Sequence, residues 1–139
     1  MPDALYRVAH VSEIVAPDEA EPALGNWHPV RIHFGIQSFG VGAYVADEAG
    51  ETLSDEHTEV DDSGTRHEEL FFVASGRASF TIGDETVEAP AGTFVYVPDP
   101  AVARGATALE PETTLLAVGG EPGKAFAVSP WERKYLDRE

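Results

Sequence analysis

Two short segments of this chain, each closed by glycine or proline, constrain its fold more than any other feature. In the first, His67-Glu68-Glu69-Leu70-Phe71-Phe72-Val73-Ala74-Ser75-Gly76, six residues separate Glu69 from Gly76. In the second, Gly92-Thr93-Phe94-Val95-Tyr96-Val97-Pro98, five residues separate Gly92 from Pro98. Runs rich in Val, Phe and Tyr that stop at Gly or Pro are typical of short strands in a sandwich or small barrel. The segments therefore predict an all-β chain.

The first segment resembles the first motif of the cupin superfamily. That motif is written Gly, five residues, His-x-His, three or four residues, Glu, six residues, Gly, and Glu69 and Gly76 match its end. Its two histidine positions hold other residues here: Ser63 and Thr65, or Asp62 and Gly64 with the longer spacer. The resemblance implies the fold, and most of the metal ligands of the motif are missing.

The second segment resembles the second cupin motif, of which Gly92 and Pro98 match. The positions of the remaining Gly, His and Asn hold Pro100, Ala103 and Thr107. The resemblance covers about residues 30 to 119 and implies a single cupin jelly-roll β-barrel. Residues 1–29 are then an N-terminal arm and residues 120–139 a C-terminal tail.

Short apolar runs between Gly, Pro and Asp clusters give the candidate strands. They are Val30 to Gln37, Gly40 to Ala46, Glu69 to Ser75, Ala78 to Ile82, Thr86 to Ala89, Thr93 to Val97, Val102 to Leu109 and Thr113 to Val118. The connection Gly83-Asp84-Glu85 predicts a hairpin. Ser129-Pro130-Trp131-Glu132 has the form of a capping box, which predicts a short C-terminal helix from Pro130 to about Asp137.

Composition excludes several classes of partner. The chain has 139 residues, the size of one domain, with 9 basic and 25 acidic residues and a formal charge of -16. Phosphate backbones and anionic lipids attract basic surfaces, so neither nucleic acid nor membrane is an expected partner. The chain has no cysteine, and its first residues lack the apolar run of a secretory signal. We expect a cytoplasmic protein.

A metal site of the cupin type usually draws three histidines and one glutamate together, and this chain has five histidines. We interpret His10, His28 and His33 as surface or hydrogen-bonded side chains. His57 and Glu59 could form a displaced ligand pair, because residues two apart on a strand face the same side. The sequence favours no resident metal. The alternative is Fe, Mn, Ni or Zn held by His57, Glu59, His67 and Glu69.

A metal-free alternative uses His67 and Glu69, since a carboxylate can orient an imidazole and raise its basicity. Tyr44 or Tyr96 could serve as a second proton donor. This arrangement resembles the logic of metal-independent sugar epimerases within the cupin superfamily. Arg104 follows Ala103, and strand alternation predicts that it points away from the interior if Ala103 points in. Its expected role is pairing with a carboxylate, with capture of an anionic ligand as the alternative.

These observations favour a metal-free module that binds a small molecule, with Glu69, His57 and Arg104 as ligand-binding candidates. The alternative is a cupin enzyme, an isomerase or epimerase, a cyclase or an oxygenase, that uses His57, His67 and Glu69 with or without a divalent metal. In that case His67, Glu69 and Tyr96 are the catalytic candidates. The resemblance and the exposed edges of an open barrel also predict a homodimer.

Overall fold

The structure is a computed structural model that describes residues 5–17, 26–60 and 66–123. A single turn of 3-10 helix, Val11–Glu13, lies in the N-terminal segment. The remaining elements, in chain order, are β1 (Trp27–His28), α1 (Val30–Phe34), β2 (Gly40–Val45), β3 (Thr52–His57), β4 (Glu68–Ser75), β5 (Arg77–Ile82), β6 (Glu85–Pro90), β7 (Phe94–Val97), β8 (Arg104–Ala108) and β9 (Thr114–Gly120).

The strands form two antiparallel sheets. One sheet has five strands in the order β1-β2-β9-β4-β7, and the other has four in the order β3-β8-β5-β6. The sheets pack face to face, and the rings of Phe71 on β4 and Phe80 on β5 lie 5.3 Å apart across the core. The chain is mostly β, so the all-β prediction holds for the two sheets and fails at the helix α1.

The core contains the apolar residues that alternation selects. Eight apolar residues that alternate along the candidate strands are buried in it or packed against it: Phe71, Val73, Phe80, Ile82, Val95, Val97, Leu115 and Ala117. The predicted hairpin is also present, because Ile82 pairs with Glu85 and leaves Gly83 and Asp84 as its turn. Alternation predicts this core well because each sheet buries one face only.

The predicted strand from Val30 to Gln37 is wrong, because this segment begins with the helix α1. Gly35 follows α1 with a φ of 72°, and its N–H bonds to the carbonyls of Arg31 and Ile32, which is a normal helix ending. The strand β3 was not predicted, since its sequence Thr-Leu-Ser-Asp-Glu-His is mostly polar. The predicted C-terminal helix lies outside the described residues. No helix of the described part is long and apolar enough to cross a membrane.

Candidate functional site

Five polar side chains meet near one end of the two sheets, and we call them the interior cluster: His57, Glu59, His67, Glu69 and Arg104. Pairing of β3 with β8 sets His57 opposite Arg104. Glu69 comes from β4 in the other sheet. The loop between β3 and β4 is drawn together by a bridge between Val60 and Arg66, which leads the chain back to His67.

Arg104 forms an ion pair with Glu69 inside the protein. Its Nη1 donates to Glu69 Oε1 at 2.8 Å, and its side chain is 0% exposed. Its Nε donates to the carbonyl of Val102 at 2.9 Å and its Nη2 to the carbonyl of Asp99 at 3.0 Å. The guanidinium is therefore held on three sides, as a buried charge requires.

The predicted outward direction of Arg104 is wrong. Ala103 lies just before β8, so alternation counted from it does not apply. Within β8, Arg104 shares the interior face with Ala106 and Ala108, all three of which are buried. Small alanines along that face leave room for one long side chain at its end.

His57 and Glu59 are joined by a hydrogen bond whose proton can be located by elimination. His57 Nδ1 lies 2.7 Å from the carbonyl of Asp55, which can only accept, so Nδ1 carries a proton. His57 Nε2 lies 2.8 Å from Glu59 Oε2, a second acceptor when ionised. Burial lowers the pKa of His57, but its bonds to Glu59 and the Asp55 carbonyl outweigh burial and raise it overall. The pair is an imidazolium and a carboxylate.

Glu59 is also close to His67. His67 Nδ1 lies 3.6 Å from Glu59 Oε1, and the amide of His67 donates to the carbonyl of Glu59. Burial raises the pKa of Glu59, but bonds from the two histidines and nearby positive charge outweigh burial and lower it to about 2. The structure thus places His67 beside Glu59, whereas the predicted acid–base pair joined it to Glu69.

Glu69 has the opposite electrostatic setting. Burial raises its pKa, the charge of Glu59 adds to the rise, and His57 and Arg104 offset it only in part, which leaves a pKa of about 7. Two neighbouring carboxylates repel one another when both are ionised, so the pKa values of the two groups move apart. Glu59 has the low pKa and Glu69 the high one. Glu69 holds its proton over part of the neutral range.

His57, Glu59 and Glu69 form a group whose donor atoms all lie within 4.8 Å of one another, as a metal site requires. Their arrangement fits a resident transition metal poorly, however. Glu59 is bonded directly to His57, and Glu69 is bonded to Arg104, so each carboxylate already has a cation. A divalent ion would have to displace the His57 proton and compete with a guanidinium.

The other predicted candidates lie away from the interior cluster. Tyr96 is on the outer face of the five-stranded sheet, where its hydroxyl bonds to Glu68. Tyr44 packs against the core. His10 caps the 3-10 turn, His28 Nδ1 bonds to the carbonyl of Ile14, and His33 is exposed on α1.

Sequence reasoning missed the backbone carbonyls that accept hydrogen bonds from Arg104, because backbone acceptors do not depend on the residue type and leave no pattern in the sequence.

Sequence comparisons give one relative that matches part of the chain. No family model matches the chain. An uncharacterised protein from Streptomyces coelicolor is 41% identical over 64 residues, which are 45% of this chain and 51% of that protein. The chain thus matches about half the length of this relative.

Several solved structures are similar over most of the chain. A cupin protein from Bacteroides fragilis covers 72% of this chain and 80% of its own, at 19% identity and a TM-score of 0.58. A protein with a double-stranded β-helix domain from Klebsiella pneumoniae covers 86% and 93%, at 22% identity and a TM-score of 0.54. A putative sugar phosphate isomerase from Acidithiobacillus ferrooxidans covers 66% and 55%, at 23% identity and a TM-score of 0.53. Similarity at this level of identity shows the fold.

Proposed function

We propose that this chain, which has the cupin fold, is a ligand-binding domain that works without a resident metal. The observation that carries the proposal is the contact between Arg104 and Glu69. A guanidinium with 0% exposure stands beside the one cupin motif glutamate that the chain retains. It supplies the positive charge that a metal ion would otherwise supply to this carboxylate.

The groups that remain accessible define the class of ligand. Side chains of His57, Glu59 and Glu69 are 35%, 19% and 13% exposed, so above about pH 7, where Glu69 is ionised, a ligand meets two carboxylates and an imidazolium. Both nitrogens of His57 are bonded within the protein. Hydrogen-bond acceptors therefore dominate the reachable surface, and the expected ligand is a small neutral or cationic molecule that donates from hydroxyl or amino groups.

Anionic ligands fit the site less well. Arg104 is enclosed, and its Nε, Nη1 and Nη2 each donate to an acceptor within the protein. The guanidinium therefore does not face an incoming phosphate or carboxylate. The chain carries a formal charge of -16, which repels anions at a distance. Arg104 thus acts in the proposal by positioning Glu69, and the ligand contacts fall to Glu69, Glu59 and His57. We place this role in the cytoplasm, because proteins of that reducing compartment rarely contain disulfides and this chain has no cysteine.

An acid–base enzyme is the second candidate, and one observation favours it. Glu59 and Glu69 lie beside the same imidazole with pKa values of about 2 and about 7. Neighbouring carboxyls with separated pKa values are a common arrangement for a general base and a general acid. In this reading Glu69 donates a proton near neutral pH and His57 assists it.

A binding screen with matched variants tests the proposal. Untagged protein is screened by thermal shift against neutral polyols and amino alcohols and against phosphorylated compounds of the same size. We expect hits in the first set only, with at least a tenfold weaker Kd in Glu69→Gln. Glu88→Gln is the matched control, because Glu88 is a surface carboxylate paired with Arg77.

The same samples separate the two candidates. A hit that is bound and recovered unchanged, with affinity lost in Glu69→Gln, supports the binding domain. Chemical conversion of a hit that slows by two orders of magnitude or more in Glu69→Gln, with the fold intact, would establish the enzyme instead. Hits confined to phosphorylated compounds would contradict the proposed ligand class.

A further inference from the structure

The outer face of the five-stranded sheet carries a regular block of apolar side chains. Phe94 and Tyr96 are 64% and 55% exposed, and Leu70 is also exposed. The rings of Phe72 and Phe94 lie 4.6 Å apart and form one surface. Proteins rarely leave a contiguous apolar patch of this kind open to water. The register of β7, β4 and β9 aligns its members in two rows, which we call the apolar face: Tyr96, Leu70 and Val118 in one row, and Phe94, Phe72 and Leu116 in the other.

The other end of this sheet is already covered by the chain itself. His28 on β1 pairs with Ala43 on β2, and its side chain bonds to the carbonyl of Ile14. Ile14 and Ala43 are both buried. The N-terminal segment therefore covers the sheet at β1 and β2, and the three strands at the opposite end need a different cover.

Four segments of the chain lie outside the described residues, and one of them has the composition of a cover. Residues 1–4, 18–25 and 61–65 are acidic, and Met1 and Leu24 are their only large apolar residues. Residues 124–139, which we call the C-terminal segment, are much richer in apolar side chains. This segment contains Phe126, Val128, Trp131, Tyr135 and Leu136. Removing such side chains from water is the main driving force for docking a segment on a sheet.

We propose that the C-terminal segment docks on the apolar face and covers it. The strand β9 ends at Gly120, which pairs with Glu68 at the start of β4. The chain thus leaves the sheet beside the row of Tyr96, Leu70 and Val118. Nine residues, 121–129, connect β9 to the predicted C-terminal helix, and an extended chain of that length reaches up to about 30 Å. The connection is long enough to bring the helix back across the three strands.

The predicted C-terminal helix matches the apolar face in size. The eight residues from Pro130 to Asp137 make a helix about 12 Å long. The strands β9, β4 and β7 are neighbours in the sheet, and three adjacent strands span about 10 Å between the axes of the outer two. Trp131 and Tyr135 are four residues apart and therefore share one face of such a helix. A helix laid across the strands sets both rings against the apolar face.

Charge also favours the C-terminal segment as the cover. The chain has a formal charge of -16, yet this segment has four of its nine basic residues and three of its 25 acidic residues. Among the outward positions of β4, β7 and β9, Glu68 is the only charged residue. A segment with a small positive charge is attracted to the acidic body of the protein and meets one carboxylate at the apolar face.

Hydrogen exchange of the full chain, followed by mass spectrometry, tests the docking. Amides of residues 130–137 should exchange at least tenfold more slowly than in a synthetic peptide of residues 124–139. Phe94→Glu should reduce that protection at least tenfold, because it buries a charge in an apolar contact. Val87→Glu is the control: Val87 is 43% exposed on β6 of the other sheet and should leave the protection unchanged. Exchange at the peptide rate in the unmodified chain, or protection that Phe94→Glu does not reduce, would overturn the proposal.

Cross-linking gives an independent readout that keeps the apolar face nearly intact. The chain has no cysteine, so Leu70→Cys combined with Leu136→Cys introduces two thiols. A short bismaleimide should join them within one chain and give a product of monomer mass. Val87→Cys combined with Leu136→Cys is the control and should remain unlinked under the same conditions. Equal linkage in the two variants would overturn the proposal. Linkage found only between separate chains would also overturn it and would assign the apolar face to a second copy.

Discussion

The guanidinium of Arg104 lies 2.8 Å from the carboxylate of Glu69 in the interior between the two sheets. Arg104 comes from β8 in one sheet and Glu69 from β4 in the other, so the contact joins the sheets as well as the charges. Beside it, His57 and Glu59 form a second ion pair. Once Glu69 is ionised, above about pH 7, these two pairs balance two cations with two carboxylates without a metal.

Replacing Arg104 should destabilise the protein strongly. Arg104→Met leaves Glu69 buried without its cation, and we expect the free energy of unfolding to fall by about 3–5 kcal/mol at pH 8. The loss should be smaller at pH 5, where Glu69 is protonated. Urea denaturation at the two pH values measures both quantities. Arg77→Met is the control, because Arg77 forms exposed ion pairs that contribute at most about 1 kcal/mol. Equal losses in the two variants would contradict the role of Arg104.

The stability of the fold should decrease as pH rises through the neutral range. Burial raises the pKa of Glu69 to about 7 from an ordinary 4.5, so the folded state holds a proton that the unfolded state releases. The resulting stability is complete below about pH 4.5 and is lost as pH approaches about 7. We expect a loss on the order of 1–3 kcal/mol, and a smaller slope in Glu69→Gln. An unchanged slope in that variant would contradict the assignment, and Glu88→Gln serves as the control.

His57 should titrate above the ordinary histidine range. Burial is the largest single effect and opposes its charged form, but the bonds to Glu59 and the Asp55 carbonyl and the nearby negative charges together outweigh burial and raise the pKa. Glu59→Gln removes that negative partner, so the pKa of His57 should fall, and NMR titration of the imidazole nitrogens measures the change. The spectra should also show a proton on Nδ1 in both protonation states, because Nδ1 donates to the Asp55 carbonyl. A neutral His57 protonated on Nε2 would contradict this geometry.

The two motif glycines should respond differently to substitution. Gly76 and Gly92 both have positive φ, 75° and 91°, which costs an alanine about 1–2 kcal/mol. A Cβ at Gly76 would also lie 2.3 Å from Thr113 Oγ1 and 2.7 Å from Thr113 Cα, whereas a Cβ at Gly92 meets nothing within 4 Å. Gly76→Ala should therefore lose at least about 2 kcal/mol more than Gly92→Ala, since overpacking adds to the backbone cost. Thermal unfolding of the two variants measures the difference.

Much of the fold was predictable because its strands follow simple rules. Glu69 to Gly76 and Gly92 to Pro98 mark β4, β7 and the turns beside them, and alternation identifies their buried residues. The rules failed for α1, whose Val, Ile and Phe suit a strand as well as a helix. They also failed for β3, whose register with β8 shifts twice, so its polar residues do not alternate regularly.

The histidine and glutamate members of the site were predictable from the sequence. The pair His57 and Glu59, two residues apart, was recognised as a displaced ligand pair, and the structure brings it beside Glu69. The inward direction of the Arg104 side chain was not predictable, because it depends on the residue at which β8 begins. Ala103 stands at the motif position of a histidine but lies outside the strand, and one residue of offset reverses every side chain.

Elemental analysis of protein purified without a metal-affinity tag tests the central claim most directly. The two ion pairs of the interior cluster predict less than about 0.1 equivalent of iron, manganese, nickel or zinc, because a divalent ion must displace the His57 proton and compete with Arg104. Added metal should leave the melting temperature of the unmodified chain unchanged. One equivalent of any of these metals, lost in His57→Ala while the fold is retained, would contradict the claim.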